Sequence, residues 1–232
     1  MQDHRIQPLV AIRALRRLLQ DPEKTEEVFV ILRALTGRSV LNAFKRFKSM
    51  PIGQAILIEE RDLVAHLDDR EALRALPEGS LGRAYLQFVE REAISAGGLI
   101  EASERDLDFA DADFERFANR MRDQHDLWHV LTGYGRDTFG EACLLAFTYA
   151  QTNNRGIAFI AIAGMFKLSR AMGGSVRSAM WQAYRAGKRA SWLPAEDWEC
   201  RLGQPLEAVR EELGITPPER YREVLEALPA AA

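Results

Sequence analysis

The sequence predicts an all-α fold: a single multi-helix domain that contains a metal-binding helical hairpin. Apolar residues recur three and four positions apart, as between Leu9 and Leu19, and this spacing places them on one face of a helix. The one short run that resembles a strand, Ala55 to Ile58, has no partner strand in the sequence, so we expect helix or loop there. The chain has 232 residues, of which 47% are hydrophobic, which is enough for one core spanning residues 1–232.

Capping residues, glycines and prolines set the expected helix boundaries. We expect helices at about 8–19, 22–35, 80–96, 138–152 and 157–172, with short helices after Pro194, Pro205 and Pro218. Residues 101–112 are acidic and irregular, which is typical of a surface loop. The helix from Ile157 to Met172 is apolar nearly all round, so we expect it to be buried, with small residues that allow close packing or an apolar ligand groove.

The most informative stretch runs from His125 to His129, with the sequence HDLWH. We expect it on a helix that Asp113 caps. The two histidines are four positions apart, which places both imidazoles on one helix face, one turn apart. This is the usual way in which a helix offers two nitrogens to one metal ion. Asp126 lies beside them and could be a further ligand or a residue that orients one.

A helical hairpin is expected directly after this helix. Gly133 and Gly135 are typical of a helix end, and Asp137 is a favourable N-cap for the next helix. The hairpin would carry Glu141 back toward the histidine pair, and the positive end of the second helix would favour its ionised carboxylate.

Two imidazole nitrogens with one or two carboxylate oxygens suit zinc, and they also suit a non-haem iron oxygenase centre, so the residues leave the metal open. A zinc protease of the H-E-x-x-H type needs glutamate as its general base where this chain has Asp126. A His-Asp phosphohydrolase would need a further upstream histidine, for which only His66 is available, and we expect His66 at the surface. A metal-dependent hydrolase of small esters is a further interpretation.

Composition excludes several classes of protein. The chain has 31 basic and 34 acidic residues and a net charge of −3, so its overall charge does not favour nucleic acid. Two cysteines are too few for a disulfide framework, and Cys143 is expected in the core. The N-terminus has no apolar signal core, and the longest apolar run, Ile157 to Phe166, is shorter than the roughly 18 residues of a spanning helix. We expect a soluble or peripheral protein without a removable presequence.

The pattern H-D-x-x-H, eleven residues, then E, at residues 125–141, resembles the signature of the coenzyme Q biosynthesis protein 4 family. Upstream, residues 76–88 resemble the family's segment L-P-x-G-[ST]-x-G-x-x-Y-x-x-F. Downstream, residues 197–199, 205–210 and 213–215 resemble its C-terminal end. The resemblance spans about residues 8–217 and is to a bacterial-type member.

The resemblance implies a helical protein of ubiquinone synthesis in the bacterial cytoplasm, peripheral to the inner membrane. It implies a divalent metal ion, zinc or iron, held by His125, Asp126, His129 and Glu141. It also implies binding of a polyprenylated quinone precursor or isoprenoid lipid, and C1 oxidative decarboxylation, in which the head-group carboxyl of a benzoate is replaced by hydroxyl. Asp126 is then the candidate catalytic residue.

Further expectations concern ligands and partners. Tyr85 is expected either in the core or, as the resemblance suggests, against the ligand, and Arg177, beside a glycine pair at a helix start, could hold a phosphate. Arg13, Arg16 and Arg17 could contact lipid headgroups or form a solvated helix face. The implied partners are other ubiquinone-synthesis enzymes and a membrane surface, with no nucleic acid; a homodimer is compatible with the sequence. The alternative function is a non-catalytic isoprenoid-lipid-binding scaffold with a structural metal.

Overall fold

The computed structural model describes residues 6–21, 24–94 and 111–227. Its helices are α1 (Pro8–Gln20), α2 (Thr25–Leu35), α3 (Ser39–Ser49), α4 (Pro51–Ile58), α5 (Leu63–Asp68), α6 (Arg70–Ala75), α7 (Leu81–Arg91), α8 (Ala112–Asp123), α9 (His125–Thr132), α10 (Thr138–Thr152), α11 (Arg155–Met172), α12 (Ser175–Arg189), α13 (Trp198–Arg201), α14 (Leu206–Leu213) and α15 (Glu219–Glu226). A short 3-10 helix occupies Leu193–Ala195. Within these described ranges there is no β-strand, so the all-α prediction is confirmed.

The chain divides into two compact units. Unit 1 comprises the chain up to Asn42, residues 132–189 and the chain from Thr216 onward. Unit 2 comprises residues 43–131 and 190–215. None of the helices in the described part of the chain has the length and apolar character needed to cross a bilayer.

The core of unit 1 surrounds α10. Cys143, Leu144 and Phe147 are fully buried on this helix, which packs against α11 and α12. The approach of α12 is close because Gly187 has no side chain: a Cβ there would lie 2.6 Å from the Phe147 carbonyl oxygen. The Gln151 side chain donates to the Gly187 carbonyl oxygen at 2.6 Å, so the contact also satisfies buried polar groups.

The prediction that the helix containing Ile157 to Met172 is buried is wrong. On α11, Ile162 is 52% exposed and Phe166 is 51% exposed. The buried positions of α11 form a narrow stripe that includes Ile160 and Leu168. An apolar composition shows only that charge is avoided at these positions, and it does not show which neighbouring element covers them.

The core of unit 2 is aromatic at one end, where Phe117 of α8 packs against Phe44 and Phe47 of α3. The C-terminal segment of the unit returns to α7: the backbone N–H of Gly82 donates to the Leu202 carbonyl oxygen at 2.8 Å. A Cβ at Gly82 would lie 3.1 Å from that oxygen, so this glycine allows the close approach.

Several predicted boundaries need correction. α7 is capped by Ser80, as expected, but it ends at Arg91 rather than near Ala96. α2 begins at Thr25 rather than Pro22, and residues 22–23 lie outside the described ranges. Most of the acidic stretch, 101–110, also lies outside them. The remaining part is not a loop, because Asp111 caps α8 and Ala112 begins it.

Candidate metal centre

The two histidines lie on a helix of their own. The helix that precedes them, α8, ends at Asp123, and α9 begins at His125. The side chain of Asp111 caps α8, so the prediction that Asp113 caps one continuous helix carrying both histidines is wrong. Gln124 forms the junction, with backbone angles of φ −78° and ψ −2°.

The structure brings His125, Asp126 and His129 together. Their potential ligand atoms all lie within 4.8 Å of one another. The two imidazole centroids are 4.9 Å apart and the rings are nearly perpendicular, at 89°. Asp126 and His129 are buried and His125 is half-buried. Two imidazoles and a carboxylate at this spacing are a donor set that fits zinc or iron(II).

Helix α7 supplies aromatic residues to this group. The Phe88 ring stacks on the His129 imidazole, with centroids 5.6 Å apart and an interplanar angle of 23°. Tyr85, one turn earlier, is 1% exposed. Burial raises the pKa of the Tyr85 phenol, and the nearby negative charge of Asp126 raises it further. Tyr85 is therefore a neutral hydrogen-bond donor beside the candidate ligands, whereas its predicted contact with substrate stays a prediction.

Glu141 lies on the first turn of α10, in unit 1. The predicted helix break before it is present, since Gly133 has φ +74°. The predicted cap is also present: Asp137 Oδ1 accepts hydrogen bonds from the backbone N–H groups of Phe139 and Gly140, each at 3.0 Å. The local structure that positions Glu141 is therefore the one the sequence indicates.

Tyr221 and Gly140, which were not among the predicted site residues, stabilise this loop. The hydroxyl of Tyr221 on α15 donates to Asp137 Oδ2 at 2.6 Å and accepts from the Gly135 backbone N–H at 3.0 Å. Gly140 allows the loop to pack on α10, because a Cβ there would lie 2.1 Å from the Gly135 carbonyl oxygen. Adjacency of Gly140 to Glu141 was a usable signal, whereas Tyr221 is 84 residues from its partner Asp137.

The C-terminal end of α9 is capped by a distant arginine. Arg210 of α14 donates from Nε to the Leu131 carbonyl oxygen and from Nη2 to the Val130 carbonyl oxygen, each at 2.8 Å. Carbonyls in the last turn of a helix have no partner within the helix, and a cation there also complements the helix dipole. In the sequence, Arg210 belongs to the segment 205–210, which resembles the family's C-terminal end.

Arg177, the predicted phosphate-binding residue, is exposed on the first turn of α12 in unit 1. Its guanidinium lies 5.9 Å from the centroid of the exposed Phe166 ring. The three-residue group belongs to unit 2, and the phosphate role of Arg177 stays a prediction. His66 is exposed, as expected for a surface histidine.

Several known proteins are similar to this chain in sequence. The sequence model described as coenzyme Q (ubiquinone) biosynthesis protein Coq4 matches residues 6–219. The mitochondrial ubiquinone biosynthesis protein COQ4 homolog of Bos taurus is 32% identical over 212 residues, covering 90% of this chain and 78% of its own. The corresponding protein of Homo sapiens is 31% identical over 212 residues, with the same coverage of 90% and 78%.

A solved structure agrees with these matches at the level of the fold. The crystal structure of a candidate ubiquinone biosynthesis protein from Nostoc punctiforme PCC 73102 aligns with a TM-score of 0.66. The alignment covers 91% of this chain and 99% of that chain at 24% identity. At this identity the likeness shows the fold alone.

Proposed function

This chain belongs to the coenzyme Q (ubiquinone) biosynthesis protein Coq4 family, and we propose that it removes the C1 carboxyl of a polyprenylated benzoate precursor and replaces it with hydroxyl. The observation that carries the proposal is the group of His125, Asp126 and His129 on α9, of which Asp126 and His129 are buried. We propose that residues 1–232 act as one functional domain, because the family match extends over 6–219.

The proposed metal ligands are His125, Asp126, His129 and Glu141. The potential ligand atoms of the first three lie within 4.8 Å of one another. Glu141 is proposed as the fourth because it stands at the glutamate of the family signature, after the eleven residues that follow His129. A bound divalent ion would act there as a Lewis acid that stabilises negative charge on a head-group oxygen.

The overall conversion takes Ar–COOH, dioxygen, two protons and two electrons from an external donor to Ar–OH, carbon dioxide and water. The bond between the ring and the carboxyl carbon breaks, a ring C–O bond forms, and an electron pair passes from the substrate to the oxidant. Asp126 is proposed to accept the proton that the head-group carboxyl loses. Tyr85, kept neutral by burial, is proposed to donate a hydrogen bond to a head-group oxygen.

The test is a turnover assay in purified protein. Protein loaded anaerobically with iron or zinc is mixed with a prenylated hydroxybenzoate and ascorbate as electron donor and then exposed to ¹⁸O₂, and the product is analysed by mass spectrometry. We expect loss of the carboxyl with gain of one ¹⁸O in the wild type and none in His129→Ala. His66→Ala is the matched control and should retain full activity, because His66 is exposed on α5.

Gain of unlabelled oxygen would contradict dioxygen as the oxygen source and favour water together with a redox partner. Substrate that binds and returns unchanged with either metal would contradict the enzymatic proposal. It would support the non-catalytic scaffold, in which the metal is structural and its removal unfolds the protein.

We further propose that unit 1 contacts a membrane through a surface formed by α1, α11 and α12, here called the basic apolar face. These three helices contain no aspartate or glutamate. They carry ten exposed cations: Arg13, Arg16, Arg17, Arg155, Lys167, Arg170, Arg177, Arg185, Lys188 and Arg189. In a chain of net charge −3 this is a strong local concentration of positive charge.

Exposed apolar side chains accompany the cations on the basic apolar face. Leu9 is 69% exposed, Phe166 is 51% exposed and Trp181 is 60% exposed. The helices are linked at this surface: Lys167 Nζ donates to the Leu19 carbonyl oxygen at 3.2 Å, and Arg177 lies over Phe166. Exposed apolar side chains among cations are the features that bind an anionic bilayer surface.

Co-sedimentation with lipid vesicles tests this surface. We expect binding to vesicles containing phosphatidylglycerol and little binding to vesicles of phosphatidylcholine alone. Arg170→Glu with Arg177→Glu should lower binding at least tenfold, since each cation contributes about 1 kcal/mol near an anionic surface. Lys45→Glu on α3, also exposed, is the control and should bind as the wild type. Equal binding by both variants would contradict the assignment of this face.

A further inference from the structure

We propose that Trp198 is a positioning residue of the candidate metal centre and acts on it through Gln124. This inference rests on the proposed metal-dependent function and adds a residue that contacts neither metal nor substrate. Trp198 begins α13, which is 74 residues away in sequence from Gln124.

The contact between the two side chains is direct and buried. The indole Nε1–H of Trp198 donates to Gln124 Oε1 at 2.8 Å. Both residues are 0% exposed. In such a site water does not compete for the hydrogen bond, and the indole N–H and the amide oxygen satisfy each other. Gln124 is therefore fixed in one orientation by a residue from a different helix.

Gln124 is the residue that determines the direction of the ligand helix. It separates α8 from α9 and directly precedes His125. The backbone hydrogen bonds continue through it, since its N–H donates to Arg120 O at 3.1 Å and its carbonyl accepts from Trp128 N at 3.1 Å. A rotation at this junction would therefore turn the Cα–Cβ bonds of His125 and His129 together.

Glu199, the neighbour of Trp198, holds the last turns of α8 before Gln124. Arg120, four residues before Gln124, makes two hydrogen bonds of 2.7 Å to the two carboxylate oxygens of Glu199. It also donates to the Glu196 carbonyl oxygen at 2.9 Å. Adjacent residues of α13 thus hold Arg120 on α8 and Gln124 at the junction, four residues later, so the junction is fixed in rotation as well as in position.

Metal ligation requires this kind of constraint. Two imidazole nitrogens must both lie about 2.0–2.1 Å from one zinc ion, and productive sites tolerate errors of only about 0.5 Å and 10–20°. A hydrogen bond is directional, whereas an apolar contact of the same area is not. Loss of the indole N–H should therefore broaden the range of histidine orientations even where packing around α9 is retained.

The experiment measures cobalt(II) affinity by titration calorimetry, the absorption spectrum of the bound cobalt and the melting temperature, on the full chain. Trp198→Phe keeps an aromatic ring but removes the donor. The double variant Trp198→Phe with Gln124→Leu also removes the buried acceptor, so that no unsatisfied polar group remains. Leu73→Ala on α6, a buried residue of the same unit, is the control for destabilisation alone.

We expect Trp198→Phe to lower both the melting temperature and the cobalt affinity, the latter by about tenfold. The double variant should regain most of the melting temperature, yet its affinity should stay low and its cobalt spectrum should stay altered. Leu73→Ala should melt earlier but bind cobalt as the wild type does. Affinity that follows the melting temperature through all variants would overturn the positioning role.

The same titration separates this inference from the proposed function. A wild type that binds no cobalt would overturn the metal centre and the positioning role together. A wild type that binds cobalt while Trp198→Phe binds it equally well would overturn the positioning role alone.

Discussion

The surroundings of the ligand helix α9 and the basic apolar face use charged side chains in opposite ways. In unit 2, Arg120 is 3% exposed and forms a bidentate ion pair with Glu199. Arg210 donates to the last carbonyls of α9. In unit 1, the ten cations of α1, α11 and α12 are exposed, and no acidic residue lies on the same helices. Arg17 differs from the rest of this set in pairing with the buried Glu27 of α2.

The difference shows which charged side chains are paired within the fold and which are exposed to an external partner. A buried cation must be paired or hydrogen-bonded, because its desolvation is otherwise too costly. An exposed cation contributes little to stability and remains available to an external anion. Substitutions around α9 should therefore change stability strongly, and substitutions on the basic apolar face should change binding alone.

The largest effect is expected for Glu199→Ala. Arg120 would be left buried without its partner, which typically costs about 3–5 kcal/mol in free energy of unfolding. Urea denaturation followed by circular dichroism measures the loss. Glu223→Ala, which breaks the exposed Arg220–Glu223 pair, is the matched control and should change the free energy by less than about 1 kcal/mol. Similar losses in the two variants would remove the distinction between the regions.

The same ion pair predicts a dependence on pH. Burial alone would raise the pKa of the Glu199 carboxyl, but hydrogen bonding and charge from Arg120 outweigh burial and hold it below the usual 4.5. A folded-state pKa below the unfolded value contributes stability above the unfolded pKa, and this contribution is lost as the pH falls through the folded one. Denaturation midpoints measured from pH 7 to pH 3 should fall more steeply for the wild type than for Glu199→Gln.

A smaller loss is expected where the loop before α10 packs closely. Gly140→Ala places a Cβ against the Gly135 carbonyl oxygen, and we expect a cost of about 1–3 kcal/mol as the backbone shifts. Gly164→Ala on α11 is the contrasting control, because its Cβ would make an ordinary contact at 3.8 Å from the Cβ of Ala142. Thermal denaturation should show that Gly164→Ala is more stable than the wild type by up to about 1 kcal/mol.

Tyr221→Phe should cost about 1–2 kcal/mol, since Asp137 Oδ2 and the Gly135 N–H would lose a buried partner. Tyr184→Phe is the control, because the Tyr184 ring stacks between Tyr149 and Trp181 and the substitution keeps that stacking. Chemical denaturation of both variants measures the difference. A Tyr221→Phe protein as stable as Tyr184→Phe would show that the hydroxyl does not hold the loop.

The smallest effect on stability is expected on the basic apolar face. Arg177→Glu removes a contact over Phe166 but places a carboxylate in the first turn of α12, where the helix dipole favours it. We expect a change within about 0.5 kcal/mol by thermal denaturation. A larger loss of stability would mean that Arg177 contributes to the packing of unit 1.

Short-range signals predicted much of the fold and part of the candidate site. Caps at Ser80 and Asp137 and the helix break at Gly133 depend on neighbouring residues, and the structure has all three. The spacing of His125 and His129 predicted that a helix would bring them together, and they lie together with Asp126.

Long-range packing accounts for what the sequence did not show. The break at Gln124 accompanies a hydrogen bond from Trp198, and no residue near Gln124 indicates that partner. The exposure of Ile162 and Phe166 depends on which helices cover α11. Local periodicity carries no information about either contact.

The most direct test of the central claim is the metal content of the purified protein. Zinc or iron is added, excess metal is removed by dialysis, and the metal remaining is measured by plasma mass spectrometry in the wild type, His129→Ala and His66→Ala. We expect one metal ion per chain in the wild type and in His66→Ala, and almost none in His129→Ala. Equal metal content in all three proteins would contradict a metal centre at His125, Asp126 and His129.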